Sequence, residues 1–267
     1  QFGSEYSACS FACFADIDNS PGIDVVANGA NLDRISVFQN VGNNFSNASS
    51  KTISSISSKV NSIFADDLDN DGDADIVSGS MGDGKVAWYE NLGNNNFSTQ
   101  RILISTEMFT NEIVVRTGDL NGDGYSEIIA AMGNTLLYFR NLSNGTFDSA
   151  NPITVSNSFS QTTDLILTDT DSDGDLEIFI ASSNAYSLFL NNGNGTFLSP
   201  IILGSGGSAV ISWGDIDMDG LSDLFTGNYA SNGQLKWHKN LGNNVFSNAQ
   251  FINNVNYLTD IKIADLD

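Results

Sequence analysis

The sequence predicts an all-β fold built from repeated four-stranded units. Three observations support this prediction. An acidic segment of nine residues, DLDNDGDAD in its most acidic copy, recurs about every 50 residues. A short apolar run follows each copy, and an alternating run that ends in Asn comes next. A turn rich in Asn and Gly then closes the pattern, and a period of this length is typical of propellers and solenoids.

The acidic segments divide the chain into six repeats, of which five are complete. Their first residues lie 51, 52, 50, 46 and 50 residues apart and are Asp16, Asp67, Asp119, Asp169, Asp215 and Asp265. The predicted repeats cover residues 5–55, 56–107, 108–158, 159–206, 207–256 and 257–267. We therefore predict a single β-propeller domain over residues 1–267, with its last repeat incomplete.

Two strands follow each acidic segment. The first is a short apolar run, which reads VVANG, IVSGS, IIAAM, IFIAS or LFTGN. In the second, the positions three and five before the closing Asn are apolar in all five repeats: Val37 and Ile35, Trp88 and Val86, Tyr138 and Leu136, Leu188 and Tyr186, Trp237 and Leu235. Because apolar residues recur with a period of two, this element is predicted to be a β-strand.

A hairpin turn and two further strands complete each repeat. The turn reads VGNNF, LGNNNF, LSNGTF, NGNGTF or LGNNVF, and Asn and Gly tolerate the positive φ that tight hairpins need. Its closing Phe is expected to pack under the turn. A run such as QRILIST supplies the fourth strand, and a run such as NEIVVRTGD supplies the first strand of the next repeat. Four strands per repeat correspond to one propeller blade.

The two ends of the sequence bear on the number of blades. YLTDIKIADLD at the end matches the first strand of a blade, as YSACSFACFADID does at the start. In a five-bladed ring these two strands would compete for one place. The sequence therefore predicts five complete blades and the first strand of a sixth, in a ring of six or seven blades.

Composition limits the classes of partner. The 267 residues are 40% hydrophobic, which is enough for a folded core. The net charge of −22, with only ten Lys and Arg, argues against nucleic acid, because phosphate binding depends on basic side chains. No run approaches the roughly 18 apolar residues of a membrane-spanning helix, and no leader precedes Gln1. We expect a mature, soluble protein without its secretion signal, with a cation as the natural partner.

The acidic segment is itself a candidate cation site. Carboxylates at positions 1, 3, 5 and 9, around a Gly at position 6, are expected to direct their oxygens to one point. Calcium takes six to eight oxygen ligands, and no His or thiolate is offered to a softer metal. An EF-hand loop begins similarly but needs a Glu at position 12. The EF-hand alternative fails because that position holds Ala27, Ser78, Ala130, Ile180 and Thr226.

Together, the DxDxDGxxD segment, the apolar strand and the WYENLGNNNF-type hairpin resemble the FG-GAP/VCBS repeat family. This family includes the calcium-binding propeller blades of integrin α-subunit heads and of many secreted bacterial proteins. The resemblance covers essentially the whole chain, and VAWYENLGNNNFSTQRILIS most resembles repeats of large secreted proteins of Bacteroidota. Because members of the family more often have seven blades, the resemblance favours a seven-bladed ring.

The resemblance implies calcium ligands from the side chains at positions 1, 3, 5 and 9 and from the backbone carbonyl at position 7. The four complete side-chain sets are Asp67, Asp69, Asp71 and Asp75; Asp119, Asn121, Asp123 and Glu127; Asp169, Asp171, Asp173 and Glu177; and Asp215, Asp217, Asp219 and Asp223. The incomplete sixth copy offers Asp265 and Asp267.

The first repeat departs from this pattern. It keeps Asp16, Asp18 and Asp24, but Ser20 and Pro21 replace the acid and the glycine that the other complete repeats have. Because proline fixes φ near −65° where the other loops use a flexible glycine, the geometry of this loop should differ. Its calcium site is expected to be weak or empty.

These ions are expected to be structural. The matching positions hold 20 of the 32 acidic residues, so bound ions would screen most of the net charge of −22. The simplest role for one ion in each blade is structural: it would offset the repulsion between neighbouring carboxylates. Metal binding is coupled to folding in this way in small domains. We expect several Ca²⁺ ions and, as the resemblance implies, a secreted or cell-surface location.

Other side chains show no catalytic arrangement. His238 is the single histidine and takes a place that aromatic residues fill in the other repeats: Phe38, Tyr89, Phe139 and Phe189. No Ser–His–Asp or Cys–His site can be built around it. Three aromatic residues at repeating apolar positions are expected in the core: Trp88, Trp213 and Trp237. Cys9 and Cys13 lie in an extended run, where Cα atoms four residues apart are about 13 Å apart and cannot be bridged.

Two classes of function remain open. The first, which we favour, is an extracellular binding or adhesion module without catalysis. It would present loops to a protein or glycan, or form a structural part of a large surface protein with further domains. The second is the propeller domain of a secreted carbohydrate-active enzyme or lectin. The segments MGDGK, NYASNGQ and STEMFTNE vary between repeats and are candidate binding surfaces.

Overall fold

The computed structural model describes residues 11–29, 33–42, 50–106, 111–143, 145–205 and 209–263. Within these ranges the chain forms twenty β-strands and no α-helix. The described residues accordingly contain no helix that is long and apolar enough to cross a membrane. The predicted all-β class is confirmed.

The strands form five antiparallel sheets of four, each in simple sequential order. The first contains β1 (Ala12–Ala15), β2 (Asp24–Gly29), β3 (Arg34–Phe38) and β4 (Ser50–Ser54). The second contains β5 (Val60–Asp66), β6 (Asp75–Ser80), β7 (Lys85–Tyr89) and β8 (Arg101–Ser105). The third contains β9 (Ile113–Gly118), β10 (Glu127–Met132), β11 (Thr135–Phe139) and β12 (Ile153–Ser156).

The fourth sheet contains β13 (Thr162–Thr168), β14 (Glu177–Ser182), β15 (Ala185–Phe189) and β16 (Ile201–Ser205). The fifth contains β17 (Ala209–Gly214), β18 (Asp223–Asn228), β19 (Gln234–His238) and β20 (Gln250–Asn254). Each sheet falls inside one predicted repeat, so the five predicted four-stranded blades are confirmed. Every acidic loop joins the first strand of its blade to the second.

The chain divides into two compact units, residues 1–118 with 124–154 and residues 119–123 with 155–267. The first unit holds the first three blades apart from the end of β12, and the second holds the fourth and fifth. The single-domain organisation over residues 1–267 and the number of blades in the ring stay predictions. In the sixth repeat, Asp265 and Asp267 lie outside the described residues.

In the first unit the apolar core lies between consecutive blades. One buried cluster combines Ile17, Val26, Ile35 and Val37 of the first blade with Val60, Ile63, Ile76 and Tyr89 of the second. Another joins the second blade to the third and contains Val77, Trp88, Ile113 and Ile128. Because both faces of an inner strand are covered by neighbouring sheets, these strands read as apolar runs rather than as alternating ones.

Small residues let neighbouring blades approach closely. A Cβ atom added to Gly79 of β6 would lie 2.6 Å from the backbone oxygen of Ile113 in β9. Any larger side chain there would force the second and third blades apart. This contact explains why the apolar run IVSGS carries small residues at its end.

The closing Phe of the hairpin turn contacts the preceding blade. Phe147 of the third blade stands edge-on to Trp88 of the second, with ring centroids 5.4 Å apart. In the second unit, Phe246 of the fifth blade makes a similar contact with Phe179 of the fourth at 5.7 Å. We predicted that this Phe packs under its own turn. The structure shows that Phe147 and Phe246 pack against aromatic residues of the preceding blade.

Candidate metal centres

The acidic loops share a backbone conformation that suits their sequence. Position 4 has a left-handed φ between 56° and 75° in all five loops, where it is Asn19, Asn70, Gly122, Ser172 or Met218. Position 6 has a φ between 87° and 94° in four loops, where it is Gly72, Gly124, Gly174 or Gly220. A side chain at position 6 would be strained at this φ, which is why glycine recurs there.

The tight turn wraps the chain around the carboxylate at position 1. In the second loop, Asp67 accepts hydrogen bonds from the backbone N–H groups of Asp71 and Gly72, at 3.1 and 3.0 Å. Asp169 accepts the matching pair from Asp173 and Gly174 in the fourth loop. The fifth loop repeats this pair, with Asp215 accepting from positions 5 and 6. These bonds orient the first predicted ligand toward the inside of the loop.

Among the described residues, four of the acidic loops bring three carboxylates together. In each group, one oxygen from every residue lies within 4.8 Å of the others. The groups are Asp16, Asp18 and Asp24; Asp67, Asp69 and Asp71; Asp169, Asp171 and Glu177; and Asp215, Asp217 and Asp223. Of the other predicted ligands, Asp75, Asp173 and Asp219 lie outside these groups, as do the acids of the third loop.

Several oxygens in these groups are buried without a hydrogen-bond partner. They are Asp16 Oδ1, Asp171 Oδ1 and Asp223 Oδ2. A buried carboxylate oxygen without a donor is costly, because it has lost its water and gained nothing in return. A hard cation would satisfy such oxygens, and an all-oxygen donor set suits calcium rather than a softer metal. The residues present therefore fit a calcium ion.

The pKa values of these carboxyl groups are consistent with a missing positive charge. Burial, followed by the charge of Asp71, raises the pKa of Asp69 to about 6. The pKa of Asp171 is raised by burial and by the charges of Asp173 and Asp169. Burial also raises the pKa of Glu177. A nearby cation lowers the pKa of a carboxyl group, so a bound ion would reverse these shifts.

The acid at position 9 is a structural residue as well as a predicted ligand. It is almost completely buried in all five loops, as Asp24, Asp75, Glu127, Glu177 or Asp223. One oxygen of Asp75 accepts the backbone N–H of Leu68 at 3.1 Å, and the other accepts that of Asn91 at 2.6 Å. This carboxylate ties the acidic loop to the hairpin of the same blade. Asp24 makes both bonds in the first blade.

The Asn that closes each third strand links consecutive blades. Its side-chain N–H group donates to the carbonyl at position 2 of the preceding acidic loop, at 2.7–2.9 Å. A second N–H of the same amide donates to the carbonyl at position 8 of its own loop. The four residues that make both contacts are Asn91, Asn141, Asn191 and Asn240. Together with Asn40, which holds the same place in the first blade and donates to position 8 of its own loop, we call them the repeat Asn. Its recurrence was visible in the sequence, but the motif alone did not reveal this contact.

The first loop departs from the others as predicted. Pro21 does not adopt the left-handed conformation that glycine has at position 6, and the following Gly22 has a φ of 130°. Asp18 accepts hydrogen bonds from the backbone N–H of Ser20 at 3.0 Å and from Gln39 Nε2 at 2.6 Å. Hydrogen bonds from Ser20, above all other causes, lower the pKa of Asp18. The expectation that this site is weak or empty stays a prediction.

The third loop is divided between the two compact units, and its parts are described separately. In the second unit, Asp119 Oδ1 accepts the N–H groups of Gly122 and Asp123, at 2.8 and 3.2 Å. In the first unit, Glu127 accepts the N–H of Asn141 at 3.3 Å. Calcium ligation by Asp119, Asn121, Asp123 and Glu127 stays a prediction.

The fifth loop contains a feature that the acidic motif did not predict. Lys239, which immediately precedes the repeat Asn of this blade, forms ion pairs with Asp217 and Asp219. The Lys239 Nζ atom lies 2.8 Å from Asp219 Oδ2. A lysine ammonium thus already sits against two of the predicted calcium ligands.

The other singled-out residues are structural. His238 is buried, and its Nε2 lies 3.2 Å from Thr226 Oγ1. Burial lowers the pKa of His238, which keeps the ring neutral. Trp88 is buried, whereas Trp213 and Trp237 are only half-buried. Cys13 is a free thiol whose pKa burial raises to about 12, and Cys9 lies outside the described residues.

A family model described as FG-GAP-like repeat matches the chain four times, over residues 16–78, 67–130, 119–179 and 169–226. Each match begins at an acidic loop and ends shortly after the following one. Together the matches span more than half of the chain. A search of curated proteins found no significant relative.

Several solved structures share the fold at low sequence identity. An Agrocybe aegerita lectin, solved for its specific recognition of non-reducing terminal N-acetylglucosamine, is 19% identical with a TM-score of 0.68. The match covers 92% of this chain and 66% of the lectin. The Vibrio cholerae biofilm matrix protein Bap1 is 20% identical with a TM-score of 0.54, and the match covers 91% of this chain and 38% of Bap1.

A third neighbour is BBS1N, solved in complex with ARL6DN. It is 13% identical with a TM-score of 0.55, and the match covers 91% of this chain and 68% of that one. These identities support a common fold and no more. The chain therefore spans about two thirds of the lectin and less of the matrix protein.

Proposed function

This chain belongs to the FG-GAP-like repeat family, and on that premise we propose that it is a calcium-stabilised extracellular binding module. It would be secreted or displayed at a cell surface, where its blades hold loops that bind a protein or glycan. The observation that carries the calcium part of this proposal is the convergence of carboxylates in four loops, with buried oxygens that have no donor in three of them.

Calcium would contribute positive charge to loops that otherwise hold carboxylates against one another. Such an ion cross-links the backbone segments that carry its ligands, which is how metal binding stabilises small domains. The residues that would hold it are those at positions 1, 3, 5 and 9, with the complete sets beginning at Asp67, Asp119, Asp169 and Asp215. Because the repeat Asn contacts the preceding loop, ordering one loop would also support the next blade.

The binding part of the proposal is supported by the fold and by one exposed surface. Tyr229 and Tyr257 are more than half exposed, and their ring centroids lie 5.3 Å apart. Tyr229 lies in NYASNGQ, one of the segments predicted to carry a binding surface. The backbone N–H of Tyr257 donates to the carbonyl of Ala230 at 2.9 Å, which holds the pair together. Rigid tyrosines supply amphipathic contact area at low entropic cost.

Calcium binding is tested by equilibrium dialysis of the purified chain. We expect at least two bound ions per molecule, which addition of EDTA removes. Replacing Asp67 and Asp169 together with Asn should reduce the number of bound ions. Binding of no calcium at millimolar concentration would contradict the proposal.

Ligand binding is tested separately, with a glycan array and a panel of immobilised extracellular proteins probed in calcium and in EDTA. We expect a signal that depends on calcium and weakens when Tyr229 is replaced by Ala. Phe251→Ala, which changes an exposed aromatic residue of β20, serves as the control. A ligand signal that is unchanged in EDTA would contradict the dependence on calcium.

A further inference from the structure

In the first and fifth blades, the side chain that precedes the repeat Asn contacts the acidic loop of its own blade. This position, which we call the pre-Asn position, differs in every blade and holds Gln39, Glu90, Arg140, Leu190 or Lys239. In the first blade, Gln39 Nε2 donates to Asp18 Oδ2 at 2.6 Å. In the fifth, Lys239 pairs with Asp217. Asp18 and Asp217 both occupy position 3 of their loops, so the same geometry recurs with a different chemical group.

The pre-Asn residues of the second and fourth blades give these loops no positive charge. Glu90 is itself a carboxylate, and it pairs with Arg101. Leu190 packs against the apolar cluster between the fourth and fifth blades. The fourth loop therefore retains all its negative charge, and Asp171 Oδ1 is buried there without a donor.

The fifth loop is different because a lysine side chain of the protein supplies a positive charge to it. Lys239 Nζ contacts Asp217 and lies 2.8 Å from Asp219 Oδ2. The hydrogen bond from Lys239 is the main reason that the pKa of Asp219 is lowered. One ammonium therefore offsets one of the two negative charges at positions 3 and 5. Asp223 Oδ2 is still buried without a donor.

We propose that Lys239 is a built-in counter-ion for the fifth acidic loop and that it makes this loop a weaker calcium site than the fourth. This inference rests on the proposed function, since it compares calcium sites. A calcium ion entering the fifth loop must either displace the ammonium from Asp217 and Asp219 or accept its repulsion. At a separation of a few ångströms in a water-like dielectric, that repulsion weakens binding about tenfold or more.

The proposal makes the residue at the pre-Asn position a determinant of calcium affinity in the fifth blade. Arg140, the other cationic residue at this position, pairs instead with Asp148 outside the acidic loop. The acidic motif of the fifth repeat, DIDMDGLSD, has a full set of four carboxylates and gives no sign of this. Only the side chain 22 residues after Asp217 in sequence distinguishes the loop. A full acidic motif is therefore not sufficient to identify a strong site in this chain.

The test is a calcium titration of the full chain by isothermal calorimetry, with Ca²⁺ as the only ligand. Lys239→Met removes the ammonium and keeps the aliphatic stem. We expect one site in this variant to bind calcium about tenfold more tightly than in the unmodified chain. Lys236→Met, which removes the same charge from β19, is the matched control and should leave all sites unchanged.

A second substitution assigns the effect to the fifth loop. In the Lys239→Met background, adding Asp217→Asn should abolish the tightened site, whereas adding Asp18→Asn should leave it in place. In the unmodified chain, Asp217→Asn should change the tight binding little. This double-mutant cycle measures the coupling between Lys239 and Asp217 directly.

The outcomes separate this proposal from the one on which it rests. If no variant binds calcium, the proposed function itself is wrong, and this inference falls with it. If calcium binds but Lys239→Met binds no more tightly, the inference alone is overturned. Loss of tight binding on Asp217→Asn in the unmodified chain would overturn it equally, because the fifth loop would then be a strong site despite its lysine.

Discussion

The first and fourth acidic loops share a frame but differ in how their carboxylates are satisfied. In both, the acid at position 9 is buried and accepts the backbone N–H at position 2. In the first loop, Asp18 at position 3 is held by Ser20 and Gln39, and its pKa is lowered. In the fourth, Asp171 has an oxygen without a donor, and burial and neighbouring charges raise its pKa.

This difference shows that the same motif has two properties: how the loop is held in its blade, and how the charge of its carboxylates is stabilised. The bonds at position 9 hold the loop in the blade whether or not an ion is bound. The hydrogen-bond donors around position 3 determine how well the carboxylate there is stabilised when no ion is bound. The protein satisfies both oxygens of Asp18. Asp171 accepts a hydrogen bond from Asn244 at Oδ2 but has no donor at Oδ1, where calcium would supply the missing partner. We therefore expect the fourth loop to depend on calcium more than the first.

The largest expected effect is that of removing calcium altogether. Excess EDTA should lower the melting temperature by about 10 °C or more, because a site saturated a hundredfold contributes about 2.7 kcal/mol and several sites are emptied together. Differential scanning calorimetry in calcium and in EDTA measures the shift. Magnesium-replete buffer is the control for simple ionic strength. An unchanged melting temperature in EDTA would show that calcium does not stabilise the protein and would contradict the comparison between the loops.

Substituting the repeat Asn should have the next largest effect. Asn91 donates to the carbonyl of Ile17 in the first loop, and Asn240 donates to that of Thr170 in the fourth. Each Asn→Ala change removes several buried hydrogen bonds and should cost about 2–3 kcal/mol.

Calcium should distinguish Asn240→Ala from a variant of the first loop. Asn240→Ala should lose more stability in calcium than in EDTA, because it loosens a loop that binds the ion. Asn40→Ala removes the amide bond to Ile23 of the first loop and should lose about the same amount in both buffers, and the exposed Asn248→Ala is the control. Chemical denaturation in both buffers measures the losses. An equal calcium-dependent loss in the two Asn variants would show that the first and fourth loops bind calcium alike.

Direct substitution at position 3 sharpens the comparison further. In calcium, Asp171→Asn should lower the melting temperature by about 5 °C, because it weakens a well-formed site, and Asp18→Asn should lower it less. In EDTA the order should reverse. Asp18→Asn then removes a carboxylate that the fold stabilises, while Asp171→Asn relieves repulsion. A calcium-dependent loss for Asp18→Asn as large as that for Asp171→Asn would show that the first loop is a full site.

The smallest expected effect is a pH dependence that appears only without calcium. Burial raises the pKa of Asp75 to about 8, so its folded-state pKa lies above the unfolded value. Its contribution to stability is then present at low pH and is lost as pH rises through about 8. In EDTA the melting temperature should fall by about 3 °C between pH 5.5 and pH 8.5, and Asp75→Asn should reduce this slope.

Calcium should suppress this slope, because a bound cation favours the charged carboxylate. The pKa of Asp18 is lowered, so its contribution is present above its ordinary range and is lost only as pH falls below it. Asp18→Asn should therefore leave the slope between pH 5.5 and pH 8.5 unchanged. A slope that is the same with and without calcium would contradict this account.

The elements that the sequence predicted well are those defined by neighbouring residues. The alternating strand before each repeat Asn became β3, β7, β11, β15 or β19. The glycine at position 6 does adopt a left-handed φ, and proline in the first loop does not. The contact of the closing Phe with the preceding blade was not predicted. Phe147 and Trp88 lie far apart in sequence and meet only when two sheets stack, so no local pattern indicates this contact.

The sequence by itself determined the five four-stranded blades, the acidic loops between their first two strands and the departure of the first loop. Each of these features depends on the local conformational preferences of a few consecutive residues. The same local pattern recurs in five repeats, which makes it easy to recognise. Only the tertiary structure decided how each loop is supported. Asn91 reaches Ile17 across 74 residues, and Lys239 reaches Asp217 across 22. Such contacts depend on the folding and stacking of sheets, so no spacing within a single motif encodes them.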